Sequence, residues 1–231
     1  MKTVSVVIPV YNGRNYLRAA LNSISASRPV EIVVCNNIDS TEDVFDIASE
    51  YGAKLIIGGP GVVANWQAAL DAATGDYVKL LCHDDILLPG CIDSQAQALD
   101  ENESVSLVFS SRQIIDSYGD ITGAMILQNN GRIVAGEQMI KLLLGYGNLI
   151  GESACAMFRR NGVRFPQAMN WLLDMYMWVA LLKCGDCLYQ PEPMAAIRQH
   201  SQQDTLRCLA DPEWEAKELA DKAELFKLSL I

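Results

Sequence analysis

Hydrophobic and polar positions in the first eighty residues alternate between two periods. Residues 3–10 form a nearly unbroken β-branched run, the pattern of a strand buried on both faces, closed by Pro9 ahead of a Tyr11-Asn12-Gly13 loop. The next stretch, 15–25, sets Tyr16, Leu17, Ala20, Leu21 and Ile24 on one helical face. The alternation then repeats as strand 31–35 with exit loop 36–40, helix 41–51 stopped by Gly52, and strand 54–57. A turn at 58–61, helix 63–73 and strand 77–81 follow. Strands separated by single helices predict right-handed crossovers and a parallel sheet. The polar loops at 11–12, 36–37 and 82–85 then share one sheet edge, where Rossmann-like sheets hold their ligands.

Beyond Pro89 the rhythm changes. The pattern predicts helix 92–102, strand 104–111 with a loop reaching 121, a helix within 132–144, a glycine-rich bend at 145–151, strand 152–159 and an aromatic-rich helix over 169–183. The segment 211–228 starts with Asp-Pro and alternates charge, which reads as a solvated surface helix. No internal repeat or linker breaks the chain.

Composition narrows the class. With 231 residues, half of them hydrophobic, the chain can bury one sizeable core. A formal charge of -10 argues against a nucleic-acid partner, because such binding rests on clustered Lys and Arg. No run approaches the roughly 20 apolar residues of a spanning helix, and no basic, apolar leader pattern opens the sequence, so a cytoplasmic location is expected. Seven scattered cysteines suit reduced packing residues. The Cys184-Gly185-Asp186-Cys187 run has no partner pair for zinc and ends a helix rather than opening one, so it reads the same way.

The stretch from Gly75 to Gly90, GDYVKLLCHDDILLPG, carries the chemistry: an apolar strand runs straight into Asp84 and Asp85. Taken alone, the two acids read as caps of the helix that follows. Two carboxylates at the carboxyl end of a strand also suit a hard divalent cation that holds phosphate oxygens.

Five blocks in order then resemble the family 2 glycosyltransferases of the GT-A fold, from about residue 4 to about residue 200. They are SVVIPVYNG, ANWQAALDAATGDYVKLLCHDD, IGESACAMFRR, LLDMYMWVALL and PEPMAAIRQH. The resemblance implies an α/β fold with a Rossmann-like, mostly parallel sheet flanked by helices. It also implies one domain over 1–231: a nucleotide-sugar half at 1–100, an acceptor half at 101–205 and a C-terminal helix at 206–231. The implied activity is inverting, metal-dependent transfer of a sugar from a nucleotide-diphosphate donor to a saccharide or lipid-linked saccharide, as in cell-surface polysaccharide synthesis. Contact with the inner face of a membrane goes with such an acceptor.

By the same resemblance Asp84 and His200 are similar to the family's metal-binding Asp and His, with Mn²⁺ or Mg²⁺ as cofactor. Pro9, Tyr11, Asn36, Asn65, Asp85 and Arg198 fall at donor-binding positions, and Asp174 at that of the catalytic base. An acceptor hydroxyl is a poor nucleophile until a carboxylate takes its proton. Glu152 is open between an acceptor-pocket and a surface role, and Tyr11 between base packing and an idle rim position.

Three positions depart from the family pattern: Cys82 replaces the first acid of the metal motif, Asn36 an acid after the second strand, and Leu173 an acid before Asp174. Asn36 keeps an amide oxygen that accepts from a base N–H, but carries no charge. These losses leave a second reading, a catalytically weak or silent nucleotide-sugar-binding module. A nucleotidyltransferase would need a basic, glycine-rich phosphate loop, which is not evident.

Overall fold

A computed structural model describes residues 1–128, 130–201, 203 and 210–230. Strands β1 (Val4–Val10), β2 (Val30–Asn37), β3 (Lys54–Gly58) and β4 (Tyr77–Leu80) alternate with helices α1 (Arg14–Asn22), α2 (Phe45–Glu50) and α3 (Gly61–Asp71). All of β1 is buried, and it pairs parallel with β2 on one side and β4 on the other. Being covered on both faces is why its sequence is apolar throughout rather than alternating.

The second part of the chain extends the same sheet. It contributes β5 (Ile86–Leu87), α4 (Cys91–Glu101), β6 (Val105–Ile115), β7 (Ile121–Met125), β8 (Arg132–Val134) and α5 (Gly136–Tyr146). A short 3-10 turn (Ser153–Cys155), β9 (Ala156–Arg159), α6 (Leu173–Leu182), β10 (Asp186–Arg198) and α7 (Trp214–Leu230) complete it. The strand order is β3-β2-β1-β4-β9-β6-β10-β5, with β7 added beside β6 and β8 beside β10. The order joins two parallel groups, β3-β2-β1-β4 and β6-β10, through β9, which is antiparallel to both β4 and β6.

Alternate residues of β1 feed separate cores. Val6 and Ile8 pack with Leu17, Leu21, Ile47, Ile92 and Leu99. Val7 packs on the opposite side, in the core that holds Ala69, Leu143, Trp178 and Leu225. Helices α1, α2 and α4 therefore cover one face of the sheet, and α3, α5, α6 and α7 the other.

Three local expectations change. The predicted loop after residue 111 is instead a hairpin: β6 runs on to Ile115 and β7 returns along it, every β7 residue exposed. Asp84 and Asp85 do not cap α4, because β5 intervenes and Gly90 occupies the N-cap with φ 81°. The terminal helix is not solvated all round, since Asp221 and Leu225 are buried. Within the core, Lys79 of β4 is fully buried, and its ammonium donates to Gln95 Oε1 at 2.6 Å.

Candidate active site

The parallel pairing of β1, β2 and β4 brings their exit loops to one edge of the sheet. The first two loops are tied together by Asn12, a non-glycine residue at φ 47°, whose Oδ1 accepts from the Thr41 amide (2.9 Å) and the Ser40 hydroxyl (3.2 Å). Asn and Asp tolerate this left-handed geometry better than other side chains. Gly13 sits against His83, where a Cβ would fall 1.9 Å from the imidazole Cδ2. The β1 loop therefore packs directly on the β4 loop.

The far end of the chain reaches this edge through β10. Ala196 pairs antiparallel with Ile86 of β5, and continuing that register places Arg198 opposite Asp84. Buried Arg198 donates from its amide to Asp85 Oδ1 (3.0 Å), from Nε to the Asp84 carbonyl (2.9 Å) and from Nη1 to the Asp116 carbonyl (2.9 Å). It thereby fastens the β6–β7 turn to the acidic loop. Two residues on, His200 Nε2 lies 3.0 Å from Asp84 Oδ2, with both side chains nearly buried. Tyr16 of α1 backs this pair: its ring lies 4.8 Å from the His200 ring and 4.8 Å from the Arg198 guanidinium carbon. Cation–π contact of this kind orients as well as stabilises.

Metal chemistry fits the donors present. Ligand atoms of Cys82, Asp84 and Asp85 lie within 4.8 Å of one another, and His200 adds an imidazole on the Asp84 side. Two carboxylates and an imidazole suit Mn²⁺, whereas the Cys82 thiol is a softer donor than the acid it replaces. Burial, and then the Asp84 charge, push the Asp85 carboxyl well above the usual carboxylate range. A bound cation would offset both causes.

A second cluster adjoins the first through residues 148–153. Ser153 Oγ is 3.5 Å from Cys82 Sγ. Glu152 is in close ionic contact with buried Arg112, 2.6 Å from Nε, though not along a linear N–H···O path. Gly151, at φ 95°, is required there because a Cβ would fall 2.5 Å from Arg112 Nη1. Asn148 donates from Nδ2 to Asp174 Oδ2 (2.7 Å) and exchanges bonds with the backbone of Gly151. Asp174 stands in the first turn of α6, and its Oδ1 accepts the Met175 amide at 2.7 Å. Its carboxyl is pushed up to about 7, chiefly by desolvation among packed side chains, with the Glu152 charge adding to it. A proton acceptor that titrates near neutrality is what general-base chemistry asks for.

The nucleoside-side candidates are less uniform. Asn36 Nδ2 donates to the Glu42 carbonyl (2.9 Å), while its Oδ1 is buried without a hydrogen-bond partner among the described residues. A buried acceptor left in that state is costly unless a ligand donates to it. Tyr11 is exposed at the rim. Pro9 lies buried within β1 in register with Cys35, where it shapes the strand end rather than lining the edge. Asn65 is turned inward: it donates to the Val10 carbonyl (3.2 Å), and its Oδ1 lies 3.3 Å from Cys35 Sγ. That packing excludes a side chain at Gly58, where a Cβ would fall 2.0 Å from Asn65 Oδ1.

The structure thus gathers Asp84, Asp85, Arg198 and His200 in one cluster, links Asp174 to it through residues 148–153, and leaves Pro9 and Asn65 inside the fold. Tyr16, Arg112, Asn148 and Ser153 join the site without having been expected there. Tyr16 reads as one more apolar position of α1, and nothing in the sequence around Asn148 marks it.

Comparison with known proteins gives the family and the fold. The family described as glycosyl transferase family 2 matches residues 5–164. The chain belongs to that family. An uncharacterised glycosyltransferase of Rickettsia typhi is 28% identical over 215 residues, an alignment covering 87% of this chain and 65% of the relative. A relative from Rickettsia conorii is 27% identical, with 34% of its length covered. The chain therefore spans between a third and two thirds of the length of these relatives.

Among solved structures, S. aureus TarS 1-349 in complex with UDP superposes with a TM-score of 0.67 at 18% identity, covering 98% of this chain and 71% of that one. Glucosyl-3-phosphoglycerate synthase from Mycobacterium tuberculosis, in complex with Mn²⁺, UDP and phosphoglyceric acid, gives a TM-score of 0.59 at 18% identity, covering 96% and 78%. These likenesses establish the GT-A fold. Asp174, Arg198 and His200 lie beyond the matched family region. Among the described residues no helix is long and apolar enough to cross a membrane.

Proposed function

We propose that this chain is an inverting, metal-dependent glycosyltransferase that moves a sugar from a nucleotide-diphosphate donor to a saccharide or lipid-linked saccharide acceptor. The observation that carries this reading is the meeting of His200 and Asp84 at 3.0 Å across 116 positions of sequence, beside a second cluster built on Asp174. Asp84, His200 and Asp85 would hold Mn²⁺ or Mg²⁺, which supplies Lewis-acid neutralisation of the leaving diphosphate. Asn36 offers its unpaired Oδ1 to a base N–H, and Tyr11 its exposed ring to the base. Arg198 braces the acidic loop from behind rather than reaching outward, since its guanidinium is engaged with backbone carbonyls.

In the transfer step Asp174 accepts the proton of the acceptor hydroxyl as that oxygen bonds to the anomeric carbon. The bond from the anomeric carbon to the diphosphate oxygen breaks with its electron pair leaving on the nucleoside diphosphate, and the anomeric configuration inverts. Both Asp174 oxygens are oriented by donors, Asn148 Nδ2 and the Met175 amide, which holds the carboxylate in one pose. Exposed Tyr118, Ile121, Met125 and Ile126 on the β6–β7 hairpin, fastened to the site by Arg198, support an acceptor with a lipid portion at a membrane's inner face.

Sugar transfer and donor hydrolysis measured with and without Mn²⁺ test the proposal. Metal-dependent release of nucleoside diphosphate that Asp174→Asn slows by about 10²–10⁴ is the expected result; metal-independent turnover, or full turnover in that variant, overturns it. A second reading, a nucleotide-sugar-binding module without turnover, is favoured by Cys82 and Asn36 standing where acids are usual. It predicts donor binding with no release under any metal.

A further inference from the structure

Helix α7 carries a carboxylate that the transfer scheme above leaves unused. Asp221 is fully buried, yet among the described residues no cation pairs with it; its partners are the amides of Asn170, Trp171 and Leu172 and the Asn170 side-chain amide. The distances are 2.9, 2.6, 3.0 and 3.0 Å in that order. Burying a charged carboxylate is unfavourable unless its lone pairs are taken up, and here four donors do so. The donors are not scattered. Three are consecutive backbone amides, and the next residue, Leu173, begins α6.

Attachment of α7 does not by itself call for this arrangement. Leu225, one turn beyond Asp221, is buried in the same core as Leu173 and Trp178, and Lys183 Nζ donates to the Leu228 carbonyl at 2.8 Å. The carboxylate acts instead on the strap 170–172, fixing where α6 starts and adding negative charge at its amino-terminal end, where the helix dipole favours it. Asp174 is the second residue of that helix. On its other side Asn148 grips the Asp174 carboxylate directly.

We propose that Asp221 is a positioning residue for sugar transfer: α7 clamps the strap 170–172 so that the first turn of α6 presents Asp174 against Asn148 in its working pose. This rests on Asp174 being the base. It gives the C-terminal helix a part in transfer through Asp221 and the strap, not through the apolar contacts that hold the helix on the core. Misplacing a reacting group by an ångström costs up to about 100-fold in rate.

The test uses the full chain carrying Asp221→Asn, with Asp221→Ser, smaller and still an acceptor, in its place if the first variant does not fold. The expected result is a kcat for transfer reduced about tenfold or more. The donor KM should stay within about twofold and the thermal shift given by UDP with Mn²⁺ should be unchanged, because the donor side is untouched. Amide exchange over residues 170–175 should quicken. Leu225→Ala, which loosens α7 without touching the strap, should lower the unfolding temperature and leave kcat alone.

The double variant Asp174→Asn/Asp221→Asn should be no slower than Asp174→Asn, since a residue acting through Asp174 has nothing further to lose once it is gone. Unchanged kcat in a folded Asp221 variant, or a double variant slower than Asp174→Asn by the full single-site factor, overturns the proposal. Wild-type turnover in Asp174→Asn alone overturns the base reading and this inference with it.

Discussion

His200 Nε2 and Asp84 Oδ2 face one another at 3.0 Å, the former two residues past β10, the latter in the loop between β4 and β5. Neither side chain has a local reason to be there. The β10–β5 register delivers the histidine, and the parallel β1–β4 pairing delivers the acid. If the pair holds a cation, each partner contributes separately to its retention. His200→Ala should weaken Mn²⁺-supported UDP binding by about 10–100-fold, and Asp84→Asn by at least as much. Isothermal titration of UDP at fixed Mn²⁺ reads both. Affinities within twofold of wild type for the two variants would remove the metal from this position.

Asp174 supplies a pH dependence whose sign can be worked out. Its carboxyl is raised to about 7 in the folded chain from an ordinary value of 3.8, by burial and by Glu152. The folded state thus holds a proton that the unfolded state releases between those values. The stabilisation is complete below about pH 4 and is lost as pH rises through about 7, a swing of no more than about 4 kcal/mol. As a base the residue must be ionised, so kcat should rise through pH 7 on one ionisation, and Asp174→Asn should lose a factor of about 10²–10⁴. The stability of wild type relative to Asp174→Asn should fall from pH 4 to pH 8, followed by chemical denaturation. A flat difference, or a rate limb well away from neutrality, contradicts the assignment.

What could be read from the sequence follows from how strongly burial constrains each segment. The strands and helices of 4–80 are legible because buried parallel strands must be apolar and each intervening helix must bury one face. Residues 121–125 carry no such signal, since among the described residues β7 pairs only with β6 and is exposed throughout, so no side-chain pattern is imposed. The terminal helix misled for the opposite reason. A charged residue reads as solvent-facing, whereas Asp221 is buried because backbone amides far away in sequence come to meet it.

The site divides the same way. Asp84 carries a local signal, one of two carboxylates at a strand's carboxyl end, whereas His200 and Asp174 are pointed to only by the family resemblance. Asn65 stands at a position that the resemblance gives to the donor, and in the structure its amide contacts the Val10 carbonyl and Cys35 Sγ.

Cys82 should set metal preference. Its sulfur belongs to the same cluster as the Asp84 and Asp85 oxygens, and sulfur favours softer ions than oxygen does. Cys82→Asp should tighten Mn²⁺ binding by about tenfold and weaken Cd²⁺ binding by a similar factor, the scale of effect that ligand-environment changes produce. Competition between the two ions, followed by UDP-dependent thermal shift, measures this. An unchanged ratio would mean that the thiol points at Ser153 alone.

The unpaired Asn36 Oδ1 makes a prediction about the base. Asn36→Leu removes the acceptor while leaving an apolar side chain of similar size, so binding of UDP should weaken by about tenfold, one hydrogen bond to a buried acceptor. Binding of inorganic pyrophosphate with Mn²⁺ should not change. Equal losses for both ligands would show that the substitution disturbs the loop tied to Glu42 rather than base recognition.

The buried Lys79 and Gln95 pair makes a prediction about stability that is independent of the site. The ammonium sits within β4 with Gln95 Oε1 at 2.6 Å, and Gln95 Nε2 goes on to the Cys155 carbonyl at 2.8 Å, joining α4 to the 3-10 turn. Gln95→Leu would strand a buried charge, while the Cys155 carbonyl keeps the Ser110 hydroxyl, and should cost about 3–5 kcal/mol. Lys79→Met in the same background removes the charge and should restore much of that loss, because a buried polar pair replaced by apolar groups of similar shape is close to neutral. Denaturant unfolding of the two single variants and the double variant measures the coupling. Additive losses in the double variant would show that the ammonium finds water or another acceptor when Gln95 is gone.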